Sequence, residues 1–144
     1  RQYVPDIMIS TDIIVGFPGE TEKYFKETVD LFKRARFNMA YIARYSSRPG
    51  TVSAKMPDNV PTTIKKSRFI RLTSLLSKIA LEENKKDLNK SQRILLETKK
   101  GNYYLGKNAY YKTVKIAKTQ RAIGEFVTVK ITKALPWGLV AKEK

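Results

Sequence analysis

Two sets of residues in this sequence have types and spacings that could do chemistry. The first lies in residues 10–21, STDIIVGFPGET. The stretch reads as a strand that breaks at Gly16. Phe17-Pro18-Gly19-Glu20 then suits a type II turn, with proline presetting φ at the second position and glycine taking positive φ at the third. Ligands of α/β units sit at the carboxyl ends of strands, so a cofactor contact is expected here. A buried strand followed by a tight turn, with no ligand, reads equally well from these residues alone. The second set is basic and aromatic: Lys107, Tyr110, Tyr111, Lys112, Lys115, Arg121, Lys133 and Trp137. Ammonium and guanidinium groups bind phosphates, and ring faces stack on bases. Arg44 and Arg48 stand at or beyond the end of a later strand, where they face either a substrate or a surface salt bridge.

Cysteine and histidine are both absent from the 144 residues. Disulfides, zinc sites and thiolate-held clusters therefore cannot form from this chain's own side chains. The formal net charge is +16 and the isoelectric point is near 10.1, which calls for a polyanionic partner, nucleic acid before membrane. The excess is uneven: through Val52 there are eight Lys/Arg against six Asp/Glu, and from Ser91 onward twelve against three. An apolar fraction of 42% can build a core, so the chain is not a disordered tail. Neither a transmembrane stretch nor a secretory leader is visible, so a cytoplasmic location is expected.

These residues must be positioned by elements of two periods. In the first strand Ile7, Ile9, Ile13 and Val15 take one face, suited to lie under helices, while Met8, Ser10, Asp12 and Ile14 take the other. A helix is predicted over 22–36, capped by Thr21, with Phe25, Val29, Phe32 and Ala35 on one stripe and Asn38 as the stop. Residues 39–45 read as a parallel strand completing a β-α-β unit, followed by a Pro49-Gly50 turn and a linker over 51–61. A second helix is expected from Asn59, as N-cap, to about Leu88. Phe69, Leu72, Leu76 and Ile79 face its core, and Lys65, Lys66, Arg68, Arg71 and Lys78 lie on its other faces. From Ser91 the period becomes two. Strands are predicted at 92–98, 102–107, 112–117, 125–133 and 137–142, the pattern of a small OB-like β-barrel. Among the aromatic residues of that region, Tyr110, Tyr111 and Trp137 are expected to be more exposed than Tyr103 and Tyr104, although Trp137 could instead plug the barrel end.

Several strings carry a resemblance. TDIIVGFPGET, YSSRPGT at 45–51 and KMPDNVP at 55–61 resemble, in order and spacing, the end of the barrel of the radical S-adenosylmethionine methylthiotransferases. GKNAYYKTVKI and GEFVTVKITKA resemble the TRAM domain, the RNA-binding barrel of the tRNA enzymes in that family. The resemblance implies a fold of α/β plus β class: the C-terminal part of a radical SAM barrel over 1–58, a linking helix over 59–90, and a five-stranded OB-like TRAM domain over 91–144. It implies S-adenosylmethionine contacts at Asp12, Ile14, Gly16, Pro18, Glu20 and Ser46, with Ile14 and Gly16 backing the adenine. Asp12 stands where the family pattern has a glycine, and Glu20 lies one position late. RNA or substrate contacts are implied at Arg44, Arg48, Lys107, Tyr110, Tyr111, Lys112, Lys115, Arg121, Lys133 and Trp137.

The activity so implied is transfer of a methylthio group to C2 of an N6-modified adenosine next to the anticodon, with N6-dimethylallyladenosine favoured by YSSRPGT. It would need S-adenosylmethionine and two 4Fe–4S clusters. The cluster cysteines are missing and Arg1 begins just before a mid-barrel strand, so the sequence reads as a C-terminal fragment, inactive alone and without catalytic or metal-binding residues of its own. The expected partner is the anticodon stem-loop of tRNA, the expected state a monomer, and the sulfur donor is open. Two other readings stand beside this one: a ribosomal-protein aspartate methylthiotransferase, and a non-enzymatic RNA-binding protein that keeps degenerate barrel sequence.

Overall fold

Val15, Ile13 and Ile9 bury themselves on one side of the first strand, as their alternation requires. The computed structural model describes residues 2–4 and 7–144, so Arg1 lies outside it. The chain divides into two compact units, Ile9–Ile79 and Ala80–Lys144 with Arg1–Met8.

In the unit Ile9–Ile79, strand β1 (Ser10–Val15) pairs in parallel with β2 (Met39–Arg44), from Ser10↔Met39 to Val15↔Arg44. Helix α1 (Glu22–Ala35) connects them. Thr21 caps it by accepting from the Tyr24 amide, which satisfies one of the donors a helix start leaves over. The helix ends within one residue of its predicted bound, where Arg36 turns into the left-handed region (φ 50°) and its amide closes on the Phe32 carbonyl. Helix α2 (Thr62–Lys85) contributes Leu72, Leu76 and Ile79 to a core with Val15, Phe25, Phe32, Phe37 and Ala40. Phe25 and Phe32 are wholly buried; each such side chain stabilises by roughly 1.5–3 kcal/mol.

The opposite face of the two-stranded sheet is open. Asp12 lies beside Tyr41 and Ile14 beside Ala43, and Ile14 and Tyr41 are 54% and 65% exposed. Parallel sheets are normally covered on both faces. The observed architecture here is a β-α-β unit with a packed helix.

Several boundaries differ from expectation. Asn59 does not cap α2; its Oδ1 accepts from the Gly19 amide at 2.9 Å. The helix stops at Lys85, short of Leu88, in successive turns that lead to Asn89 at φ 64°. The linker contains a 3-10 turn, Val52–Lys55, capped by Thr51.

In the unit Ala80–Lys144, five strands close a barrel in the order β3-β4-β5-β7-β6. They are β3 (Ser91–Lys100), β4 (Tyr103–Lys107), β5 (Thr113–Ile116), β6 (Phe126–Leu135) and β7 (Gly138–Glu143), each within a few residues of its predicted place. All neighbours are antiparallel except β5 and β7. Ile94, Leu96, Val114, Ile116, Val127, Val129, Ile131, Leu139 and Ala141 fill the interior. Closure leaves no unpaired strand edge for another chain to extend.

Candidate strand-end site and nucleic-acid interface

The turn after β1 forms as its residues predict: the Glu20 amide donates to the Phe17 carbonyl at 2.9 Å and Gly19 has φ 82°. Its side chains do something the sequence reading did not anticipate. Glu20 turns inward, and its Oε2 accepts from the Gly16 amide and from Arg68 Nη1 at 2.7 Å. Arg68 Nη1 also donates to the Glu20 carbonyl at 3.0 Å. Lys65 crosses the other side of the turn and reaches both Asp58 oxygens at 2.7 Å, with its ammonium 5.1 Å from the Tyr45 ring centre. A Cβ on Gly16, which has φ 73°, would stand 2.3 Å from Lys65 Cγ.

Lys65 and Arg68, expected on solvated helix faces, are therefore buried at 6% and 5% exposure. The reason is that burial of a cation is tolerated where carboxylates and carbonyls pair it. A signal was present: positions 65, 68, 72, 76 and 79 step by three and four, so both cations lie on the stripe that carries the core leucines.

This arrangement limits what the strand end can offer a cofactor. Pro18 and Gly16 are buried, and the Glu20 carboxylate is held by the Gly16 amide and Arg68 within its own turn. Ile14 remains open beside Ala43, with Asp12 one step back on the same face. Ser46 is exposed just past β2. Ile14 and Ala43 form the apolar part of that open face, and Asp12 and Ser46 are polar neighbours. Arg44 and Arg48 are both exposed near that end. Among the described residues, no group of three His, Cys, Asp or Glu could hold a metal ion.

The barrel has two differently equipped ends. At one end β4 finishes at Lys107, β5 begins at Thr113, and β7 begins at Gly138 alongside β5. The loops 108–112 and 136–137 both emerge there, which places Tyr110, Tyr111 and Trp137 at one end of the barrel, at 47%, 83% and 52% exposure. These are the three rings expected outside. Tyr104 packs against the core, and Tyr103 is covered by Lys115, whose ammonium lies 3.9 Å from its ring centre. The other end holds a cleft of about 730 Å³ whose lining includes Lys118, Arg121, Lys142 and Lys144, with Glu125 and Glu143. Sequence reasoning named only Arg121 among these cations. The others, at the ends of β5 and β7, meet only because those strands pair in parallel.

The remaining basic residues fare unevenly. Lys115 and Lys133 are exposed on the barrel. Lys107 is half-buried and donates to Thr113 Oγ1 at 2.7 Å. Lys112 does not stand free for phosphate as expected, because its ammonium is buried on Asp87 Oδ2 at 2.5 Å. That pairing joins residues 25 apart in sequence, so it depends on the folded barrel and no local pattern signals it.

Comparison with known proteins agrees with this division. Residues 86–142 match the family model described as the TRAM domain. A tRNA-2-methylthio-N(6)-dimethylallyladenosine synthase from Acidothermus cellulolyticus is 41% identical over 149 residues, covering 99% of this chain and 30% of the relative. Proteins of the same name from Caldicellulosiruptor saccharolyticus and a Thermoanaerobacter species are 42% and 43% identical, covering 93% and 95% of this chain and 29% and 30% of their own lengths. The chain thus spans about three tenths of the length of the curated relatives it matches. Likeness to these synthases thus extends through both the strand-end turn and the barrel, and the barrel residues are similar to the TRAM domain.

Proposed function

We propose that this chain serves a radical SAM tRNA methylthiotransferase, supplying one wall of its S-adenosylmethionine barrel over residues 1–58, a linking helix over 59–90, and an RNA-gripping TRAM barrel over 91–144. The observation that carries the proposal is 41–43% identity, along nearly the whole chain, to synthases that methylthiolate N6-dimethylallyladenosine in tRNA by their name. S-adenosylmethionine and the two iron–sulfur clusters would supply radical generation, sulfur and methyl groups, with cluster thiolates from outside these residues.

The chain's own contribution is to hold and orient. Ile14 and Ala43 present an apolar surface for the adenine, and the Lys65 and Arg68 clamps fix the turn that ends that strand. Arg44, Arg48 and Ser46 would line the mouth toward the substrate. The barrel's exposed cations neutralise tRNA phosphates near the anticodon, and the same reading takes the protein as a cytoplasmic monomer. A ribosomal-protein substrate is disfavoured, because a surface with twelve Lys/Arg against three Asp/Glu repels a basic partner.

The test is the salt dependence of tRNA binding by the intact chain. Affinity should fall with log salt at a slope of about −0.7 to −0.9 per phosphate contacted, if the values for single strands and B-DNA carry over. Lys115→Ala, Arg121→Ala and Lys133→Ala should each lower that slope by roughly one without altering sequence preference. Undetectable or salt-insensitive binding would refute the RNA role.

A further inference from the structure

The aromatic end of the barrel is held by more polar structure than a solvent-exposed loop needs. Asn108 is 7% exposed; its Oδ1 accepts from the amides of Tyr110 at 3.0 Å and Lys112 at 2.9 Å. Its Nδ2 donates to Gln92 Oε1 at 2.9 Å, and Gln92 Nε2 donates to Asp87 Oδ1 at 3.0 Å. Asp87 Oδ2 takes the Lys112 ammonium, which returns the chain of contacts to the loop it started from. Inside this ring of contacts Tyr111 adopts φ 61°. A left-handed backbone is costly for a bulky residue and persists only where its surroundings over-determine it.

The second loop is fixed independently. Asn84, 6% exposed, donates to the carbonyls of Leu135 at 2.7 Å and Pro136 at 3.3 Å, which sets the turn that carries Trp137. Two clamped loops therefore present three exposed rings on a strongly basic barrel.

Rings packed for stability would be covered, and rings in slack loops would lose conformational freedom on binding. Exposed rings carried on a fixed backbone bind a flat partner with less of that entropic loss. Phosphates can meet the exposed cations elsewhere on the barrel, Lys115 and Lys133 among them, and bases the rings, so the complementary partner is nucleic acid. Paired bases do not expose their faces, whereas loops and single strands do. We infer that this end of the barrel is a pre-set stacking platform for unpaired RNA bases, built on Tyr111, Tyr110 and Trp137, with Asn108, Asp87 and Lys112 as its positioning residues. The inference rests on the RNA reading above and names the class of RNA structure that the barrel selects.

Trp137 is the sole tryptophan, so intrinsic fluorescence reports on this end directly. The intact chain is titrated with a 12-nucleotide oligouridylate and with a blunt RNA duplex of similar length. Oligouridylate should quench Trp137 to saturation, and the duplex should bind through charge without that quench. Tyr111→Ala should weaken oligouridylate binding about five- to a hundredfold at unchanged salt slope, with duplex affinity unaltered, and Tyr111→Phe should retain it. Lys112→Met should also weaken the single strand at unchanged slope, and Lys112→Arg should restore it. A Lys112 that contacted phosphate would instead lower the slope by about one on both RNAs. Thermal melts of each variant guard against unfolding, and Tyr111→Gly, which relieves the strained backbone, should fold at least as well while binding as poorly as Tyr111→Ala. Salt-dependent binding of both RNAs with no quench and no effect of Tyr111→Ala would overturn the platform alone. Absence of binding to either RNA would overturn the RNA reading and the platform together.

Discussion

Gly16 shows how closely the strand end is fitted at the scale of single residues. Its φ of 73° and the 2.3 Å separation a Cβ would have from Lys65 Cγ are separate obstacles to any side chain. Lys65 cannot retreat cheaply, since its ammonium is anchored on Asp58. Gly19 has a similar φ of 82° but open space around it. Gly19→Ala should therefore cost about 1 kcal/mol, from backbone strain alone, and Gly16→Ala clearly more, roughly 2–4 kcal/mol. Urea titrations of both variants check the ordering; equal costs would show that Lys65 moves aside freely. Arg68→Met should be more damaging still, on the order of 3–5 kcal/mol, because it strands a Glu20 carboxylate that is largely buried. The sequence displayed the glycines and the turn they make. It concealed Glu20's commitment to Arg68, because the partners lie 48 residues apart and meet only after α2 has packed.

Local chemistry made most of the elements readable at the next scale. Thr21 before an amphipathic stripe defines the start of α1, and Thr21→Ala should cost about 1 kcal/mol in the same titration. The five barrel strands were legible because their period of two is interrupted by Lys100-Gly101-Asn102, Asn108 and Pro136. The end of α1 was legible to within one residue, although Arg36 and not Asn38 makes the stop. Asn59 misled: an asparagine ahead of a helix has the right chemistry for a cap, but the Gly19 amide competes for the same oxygen. The open face of the β1–β2 sheet provides a further test. Ile14→Asp changes an exposed residue, so stability should stay within about 0.5 kcal/mol of the parent. If Ile14 belongs to the proposed adenine wall, the same change in a methylthiotransferase that binds S-adenosylmethionine should weaken that binding by setting a charge against the ring. Unchanged affinity in an equilibrium titration would remove Ile14 from that wall.

Across the whole molecule, positive charge accumulates toward the C-terminus. Residues 1–52 are nearly balanced, with eight Lys/Arg against six Asp/Glu, whereas residues 53–90 carry nine against four and residues 91–144 twelve against three. Among the described residues no helix is long and apolar enough to cross a membrane. The order of strands around the barrel has a bearing on how the protein is made. Strand β7 is the last of the five in sequence, yet it lies between β5 and β6 and pairs with both. While the chain emerges from the ribosome, β3, β4, β5 and β6 can assemble in turn, but β5 and β6 each keep one bare edge until Gly138–Glu143 arrives. Translation that stalls inside those six residues would release a sheet with two adhesive edges in place of a slightly weakened barrel, and such a product would be a substrate for chaperones and proteases.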